Sequence, residues 1–100
     1  MDWKNALSQL AVVAPKLAYK PELIEALKQH AKQANPPSLL MAQMEVMMSV
    51  AKQNQRVAEL HGYPTLEAYA KRVEVAIQAV VSALKTAGVA PSKSNQAQQI

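Results

Sequence analysis

Few side chains in this sequence are of the kinds that perform acid, base or metal chemistry. The 100 residues include two histidines, His30 and His61, and seven carboxylates, but no cysteine. Catalysis needs an acid, base or nucleophile held beside its partner groups, and the chain has neither a His-x-x-x-His pair nor a glycine-rich phosphate loop. His30 is expected on a helix surface and His61 at a helix C-terminus, where a cation is stabilised. We therefore expect a protein that is not an enzyme and that has no metal site or cofactor.

Basic side chains give the chain a net charge of +4. Four lysines lie in its first third, at Lys16, Lys20, Lys28 and Lys32. They could attract nucleic acid, anionic lipid or an acidic protein. Arginine, which binds phosphates and base edges best, is scarce, and two prolines separate the helices that a helix-turn-helix would join by a short turn. Sequence-independent nucleic-acid binding is therefore an alternative hypothesis and not the favoured one.

Methionines form a cluster in the middle of the chain. Methionine is flexible and tolerates repacking, so such a cluster is either core or an adaptable binding surface. Trp3 and Tyr19 are amphipathic and can anchor the first helix to its own bundle or to another subunit. The residues predicted to contact a protein partner by helix packing are Met41, Met44, Met47, Met48, Val46, Val50 and Trp3. Met41 and Met48, seven residues apart on one flank of a helix, are the first candidates.

The N-terminal third is predicted to hold two short helices. Asp2 can cap the first, and Pro15 interrupts it before a short continuation through Leu17. Pro21 suits the first position of the second helix, which the segment 35–38 (Asn-Pro-Pro-Ser) ends. The inward stripes are Trp3, Leu7, Leu10, Ala14 and Leu17 on the first helix and Leu23, Ile24, Leu27, Ala31 and Ala34 on the second.

The third predicted helix, about residues 38–61, has two apolar seams. Asn35 or Ser38 can cap its start. A narrow polar stripe holds Glu45, Ser49, Lys52, Arg56 and Glu59. One seam holds Leu40, Met44, Met47, Ala51, Asn54 and Ala58, and its neighbour holds Val46, Val50, Val57 and Leu60. A helix with two apolar seams must be covered from two sides, so we expect it to be central to an assembly.

Asn54 is the polar residue inside the first seam. A buried asparagine can set the register and oligomeric state of packed helices, because an unpaired amide is costly to bury. The other interpretation places Asn54 at a hydrated rim beside Gln53 and Gln55.

The third and fourth helices are predicted to form an antiparallel hairpin. Gly62 can adopt the left-handed conformation that ends a helix, and Thr65 can cap the fourth, about residues 65–87. Glu67 and Lys71 are spaced for an ion pair along this helix. Its inward seam is Leu66, Tyr69, Val73, Ala76, Val80, Ala83 and Ala87.

These features predict an all-α, three-to-four-helix bundle built on that hairpin. Residues 1–88 are predicted to form a single helical domain, and residues 89–100, which contain few apolar side chains, are predicted to form a flexible or partner-bound tail. No segment approaches the roughly 20 apolar residues that span a bilayer, so we expect no membrane association. The lack of cysteine fits a cytoplasmic location, or an assembly formed there.

The residues Pro-Pro-Ser-Leu-Leu-Met-Ala-Gln-Met-Glu at 36–45 resemble the Ala- and Gln-rich helices that end some tailed-phage portal proteins. The resemblance covers one helix of general helix formers, and it adds a small phage-particle component to the assemblies considered. The favoured function is a non-catalytic structural or interaction protein that packs its helices in a homo-oligomer or larger assembly. A small regulator or inhibitor of a larger protein is the second alternative. It would use the same helix packing as the favoured function and differ from it only in the stoichiometry of the complex.

Overall fold

Four α-helices make up the fold. The computed structural model describes residues 2–89. In chain order the helices are α1 (Trp3–Val13), α2 (Pro21–His30), α3 (Leu40–His61) and α4 (Pro64–Thr86), with one 3₁₀ turn at Ala14–Lys16. Residues 2–89 contain no strand, which confirms the predicted all-α bundle. Apart from Val89, the tail predicted over residues 89–100 lies outside the described residues.

The start and end of α1 follow from two residues. The Asp2 carboxylate accepts a hydrogen bond of 2.8 Å from the backbone N–H of Asn5, which satisfies one of the unpaired amides of the first turn. Pro15 then ends the regular helix, and a single 3₁₀ turn continues the chain to Lys16. The predicted cap, break and inward stripe of this segment are confirmed, since all five stripe residues are buried.

The second helix is shorter than its apolar pattern predicts. It ends at His30, and the next residues form tight turns in which Lys32 and Gln33 donate their N–H groups to Gln29 and His30 carbonyls at 3.1 Å. Ala34 is consequently exposed and outside the helix, so its assignment to the inward stripe was wrong. The chain must leave α-helical geometry before the two prolines, and it does so about one turn earlier than expected.

Two predicted N-caps are also wrong. Leu39, and neither Asn35 nor Ser38, occupies the N-cap of α3, where no side chain caps the helix. In α4 the N-cap is Tyr63 and Pro64 takes the first helical position, which places Thr65 inside the helix. Proline suits that position because its φ is already helical and its missing N–H would have had no partner.

Gly62 connects α3 to α4. Its φ of +70° lies in the left-handed region, and its N–H and that of Tyr63 both reach the carbonyl of Ala58. This closing turn reverses the chain and makes α3 and α4 the predicted antiparallel hairpin. Along α4, Glu67 and Lys71 form the expected ion pair at 3.5 Å.

The core lies between α4 and its two neighbours, α1 and α3, and α2 packs against α1. Because α4 is covered from two sides, its buried face is wider than the predicted seam and includes Ala70, Ile77 and Leu84. Ala87, which was assigned to that seam, is exposed beyond the helix end. The largest fully buried side chains are Leu7, Leu10, Leu27, Leu40, Met44, Met47, Ile77, Leu84, Val73 and Val80.

Replacing Gly62 by alanine should destabilise the fold by about 1 kcal/mol, because an L side chain at positive φ is strained. A Cβ there would meet no atom within 4 Å, so the loss would come from the backbone and not from a clash. Gly62→Asn is the matched control, since asparagine tolerates this conformation better. Urea unfolding followed by circular dichroism measures both variants, and an alanine variant as stable as the wild type would contradict the assigned role of the turn.

Candidate helix-packing interface

One side of α3 remains uncovered by the rest of the chain. We call it the outer face, and it consists of positions spaced alternately by four and three residues: Leu39, Gln43, Val46, Val50, Gln53, Val57 and Leu60. Leu39, Val46 and Leu60 are 71%, 64% and 82% exposed, while Val50 and Val57 are half-buried. No residue of this face is charged. The second apolar seam of α3 is therefore an apolar surface that the described part of the chain leaves open.

A second side of α3 supplies the core. Leu40, Met44, Met47, Ala51 and Ala58 are buried, as expected for the first seam. The polar stripe is exposed along its whole length. The helix therefore has one covered apolar seam, one polar stripe and, between them, the outer face.

The methionine cluster belongs mainly to the core. Met41, Met44 and Met47 are buried with the residues of α1 and α4 and present almost no surface to a partner, so we remove them from the candidate interface. Met48 is half-buried. It lines a groove between α3 and α4 together with Val81, Lys52 and Lys85.

Trp3 and Asn54 are also satisfied within the chain. Trp3 is buried in the core cluster, so it anchors α1 to its own bundle. The Asn54 amide is half-buried and donates a hydrogen bond of 2.8 Å to the carbonyl of Val50, one turn earlier in the same helix. This bond removes the unpaired amide on which the register-setting hypothesis depended.

The outer face deepens into a groove near the start of α3. Leu23 of α2 forms one wall, and the other walls come from Leu39, Ala42, Gln43, Val46 and Met47. The Oε1 atom of Gln43 is buried there and has no hydrogen-bond partner among the described residues. Buried polar atoms are usually paired, so this unpaired oxygen carries a cost within the subunit itself.

Tyr19 holds the segment before α2 against the middle of α3. Its hydroxyl donates a hydrogen bond of 2.6 Å to the backbone carbonyl of Met47. Burial raises the pKa of Tyr19 to about 12, because the phenolate would lose hydration. The sequence indicates an anchoring role for this tyrosine, but the acceptor is a main-chain atom 28 residues away that no local pattern could identify.

The four N-terminal lysines are exposed, and two have partners in the chain. The Lys16 ammonium lies 5.5 Å from the centre of the Tyr69 ring, and Lys28 lies 3.9 Å from a carboxylate oxygen of Glu25. Lys20 and Lys32 complete the predicted set. Both observed contacts are solvent-exposed interactions that contribute little to stability.

The residues considered for catalysis lie apart on the fold. His30 ends α2, whereas His61 ends α3 and stacks on Tyr63 with ring centres 5.9 Å apart. Within residues 2–89, no three acidic or histidine side chains are close enough to hold a metal ion. In the same range, every helix is too short or too polar to cross a bilayer.

Comparisons with protein-family models, with curated proteins and with solved structures found no match for this chain.

Tyr19→Phe should lower the free energy of unfolding by about 1 kcal/mol, because it removes the hydrogen bond and leaves the Met47 carbonyl without that donor. It should also change the alkaline stability. Between pH 10 and 12 the unfolded chain releases the tyrosine proton while the folded chain retains it, so this group makes the fold less stable as pH rises.

Chemical unfolding at pH 7, 10 and 11.5 measures the effect. The wild type should lose stability over the alkaline range more steeply than Tyr19→Phe, and Tyr63→Phe, which alters an exposed tyrosine, is the control. Equal alkaline slopes for all three proteins would show that Tyr19 is not held as its geometry indicates.

Proposed function

We propose that this chain is a non-catalytic structural or interaction protein that acts by packing α3 against another polypeptide, in a homo-oligomer or a larger assembly. The observation that carries the proposal is the outer face. It runs along a helix of 22 residues, a length of about 33 Å. Its apolar positions repeat with the alternating spacing by which one helix packs on another.

Single exposed hydrophobic side chains are normal on protein surfaces, whereas aligned ones indicate an interaction site. Val75 illustrates the first case. It is 64% exposed, as Val46 is, but it shares its groove with Lys71 and Arg72. Val46 is instead flanked along its helix by Leu39 and Val50. This alignment supports burial of the outer face by another helical surface, at about 25 cal/mol for each Å² of apolar surface removed from water.

Two kinds of assembly fit this proposal equally well, because both would bury the same apolar side chains of the outer face. A structural component, such as a small phage-particle protein, would bury the outer face in a repeating assembly. A small regulator or inhibitor would bury it on a larger protein at fixed stoichiometry. Nucleic-acid binding receives less support, because Lys16 and Lys28 contact Tyr69 and Glu25 and the most distinctive exposed surface is uncharged.

Val46→Glu and Val75→Glu form a matched pair that tests the proposal. Both replace a valine that is 64% exposed in a helix, and both add one negative charge. Val46→Glu should weaken association about tenfold or more, since a buried, unpaired carboxylate is costly, while Val75→Glu should associate as the wild type does. Circular dichroism first confirms that both variants are folded.

Association is measured by sedimentation of the purified chain at micromolar concentrations and by affinity capture from native lysate with mass spectrometry. The proposal predicts a dimer, a higher oligomer or a stoichiometric protein partner that is lost only with Val46→Glu. Retention of every complex by Val46→Glu would contradict it. So would a wild-type monomer that captures nothing specific, and a salt-sensitive nucleic acid recovered with all three proteins would favour the alternative.

A further inference from the structure

We infer that Met48 is the residue of α3 at which hydrogen peroxide modifies the folded chain, converting the thioether to a sulfoxide while the helical fold remains intact. The sulfur attacks one peroxide oxygen, the O–O bond breaks, an S–O bond forms and water leaves. Sulfur loses two electrons to the peroxide in this step. The site lies in the groove between α3 and α4 and is separate from the outer face.

The four methionines of α3 differ in their exposure to solvent. Met41, Met44 and Met47 retain 3%, 0% and 1% of their accessible surface. Met48 is half-buried and packs against the edge of the core. An oxidant must touch the sulfur, so a buried methionine reacts only while the core around it is transiently open, and opening costs free energy. Among residues 2–89, Met48 is therefore the methionine that peroxide reaches in the closed fold.

The groove beside Met48 has room for the reagent. Its volume is about 520 Å³, whereas one water molecule occupies roughly 30 Å³ in the liquid. Hydrogen peroxide is only one oxygen atom larger than water. Access to Met48 along the groove therefore requires no movement of α3 against α4.

Polar side chains of the same groove can stabilise a sulfoxide oxygen. Ser49, Lys52 and Lys85 carry hydrogen-bond donors, and Glu45 also lines the groove. A sulfoxide oxygen is an acceptor that needs a donor or water once it has formed. The groove supplies both. At Met44 the same oxygen would be enclosed by the apolar core, where an unpaired polar atom destabilises the fold.

Oxidation would change the polarity of this groove reversibly. Met48 and Val81 are its half-buried apolar residues. A sulfoxide replaces a flexible apolar side chain by a polar one, and methionine sulfoxide reductases restore the thioether. The apolar part of the groove therefore shrinks when peroxide is present and returns when the sulfoxide is reduced.

This modification is independent of the proposed function, because Met48 lies on the side of α3 away from the outer face. Val46 and Val50 are each two residues from it, which is about 200° around the helix. Oxidation therefore changes the groove and leaves the outer face as it is. Failure to find oxidation at Met48 would leave the proposed function standing, and a chain that does not associate would leave the oxidation site standing.

Peroxide treatment of the purified full chain, followed by mass spectrometry, tests the site. Trypsin cleaves after Lys32 and Lys52, so all four methionines of α3 fall in one peptide, residues 33–52, and Met1 falls in another. Fragment ions then report oxidation at each position. In the folded chain Met48 should be oxidised about tenfold faster or more than the other three, which react only through opening of the core. In concentrated urea all four should react at similar rates.

Met48→Leu and Met44→Leu form a matched pair, since methionine and leucine exchange with little change in volume. Met48→Leu should lose the fast oxidation, and Met44→Leu should retain it. Wild-type chain oxidised within α3 only at Met48 should keep its helical circular dichroism. Its Tm should fall by roughly 5 °C or less, because the new oxygen faces the groove and not the core.

Three results would overturn the inference. One is oxidation of Met41, Met44 or Met47 in the folded chain as fast as that of Met48. Another is a fast oxidation within α3 that persists in Met48→Leu. The third is loss of the helical signal when Met48 alone within α3 is oxidised, which would show that the sulfoxide is not accommodated in the groove.

Discussion

Helix α3 carries apolar side chains on two sides, and the other helices bury only one of them. The covered side holds Met44 and Met47 against the core formed with α1 and α4. Burial on that side fixes the rotation of α3 and thereby directs the outer face to solvent. A further helix could cover the second seam, as α1 and α3 together cover two sides of α4, but α2 packs against α1 instead. The second seam is therefore left open by residues 2–89.

Two contacts hold α3 in this orientation. Gly62 reverses the chain so that α4 lies along the covered side, and its left-handed φ of +70° is unstrained because glycine has no Cβ. The Tyr19 hydroxyl donates a hydrogen bond to the Met47 carbonyl in the middle of α3. Rotation of α3 about its axis would break this hydrogen bond. Neither contact contributes much to the free energy of unfolding, since a hydrogen bond contributes about 1 kcal/mol. Both act on the same element, and together with the apolar core they select one rotation of α3.

Much of the fold was predictable because proline, glycine and apolar spacing act locally. Pro15, Pro21 and Gly62 mark helix ends for reasons of backbone geometry that hold in any protein. The N-caps of α3 and α4 were not predictable from the sequence. A side chain that is able to cap does so only if tertiary packing places it at the first residue of the helix. Periodicity identified both seams of α3 but could not tell which one the chain itself would cover. For that reason Met41, Met44 and Met47 were assigned to a partner surface and are core.

Under the proposed function, the position of Met47 would link association to subunit stability. Its side chain is buried in the core and also lines the groove beside Leu23, and its carbonyl accepts the Tyr19 hydroxyl. A polypeptide that fills the groove would contact Leu23 of α2 and Met47 of α3 together and so restrict the motion of α2 against α3. Binding to the folded state alone stabilises it by mass action. Under the proposed function, the subunit and its assembly would then stabilise each other.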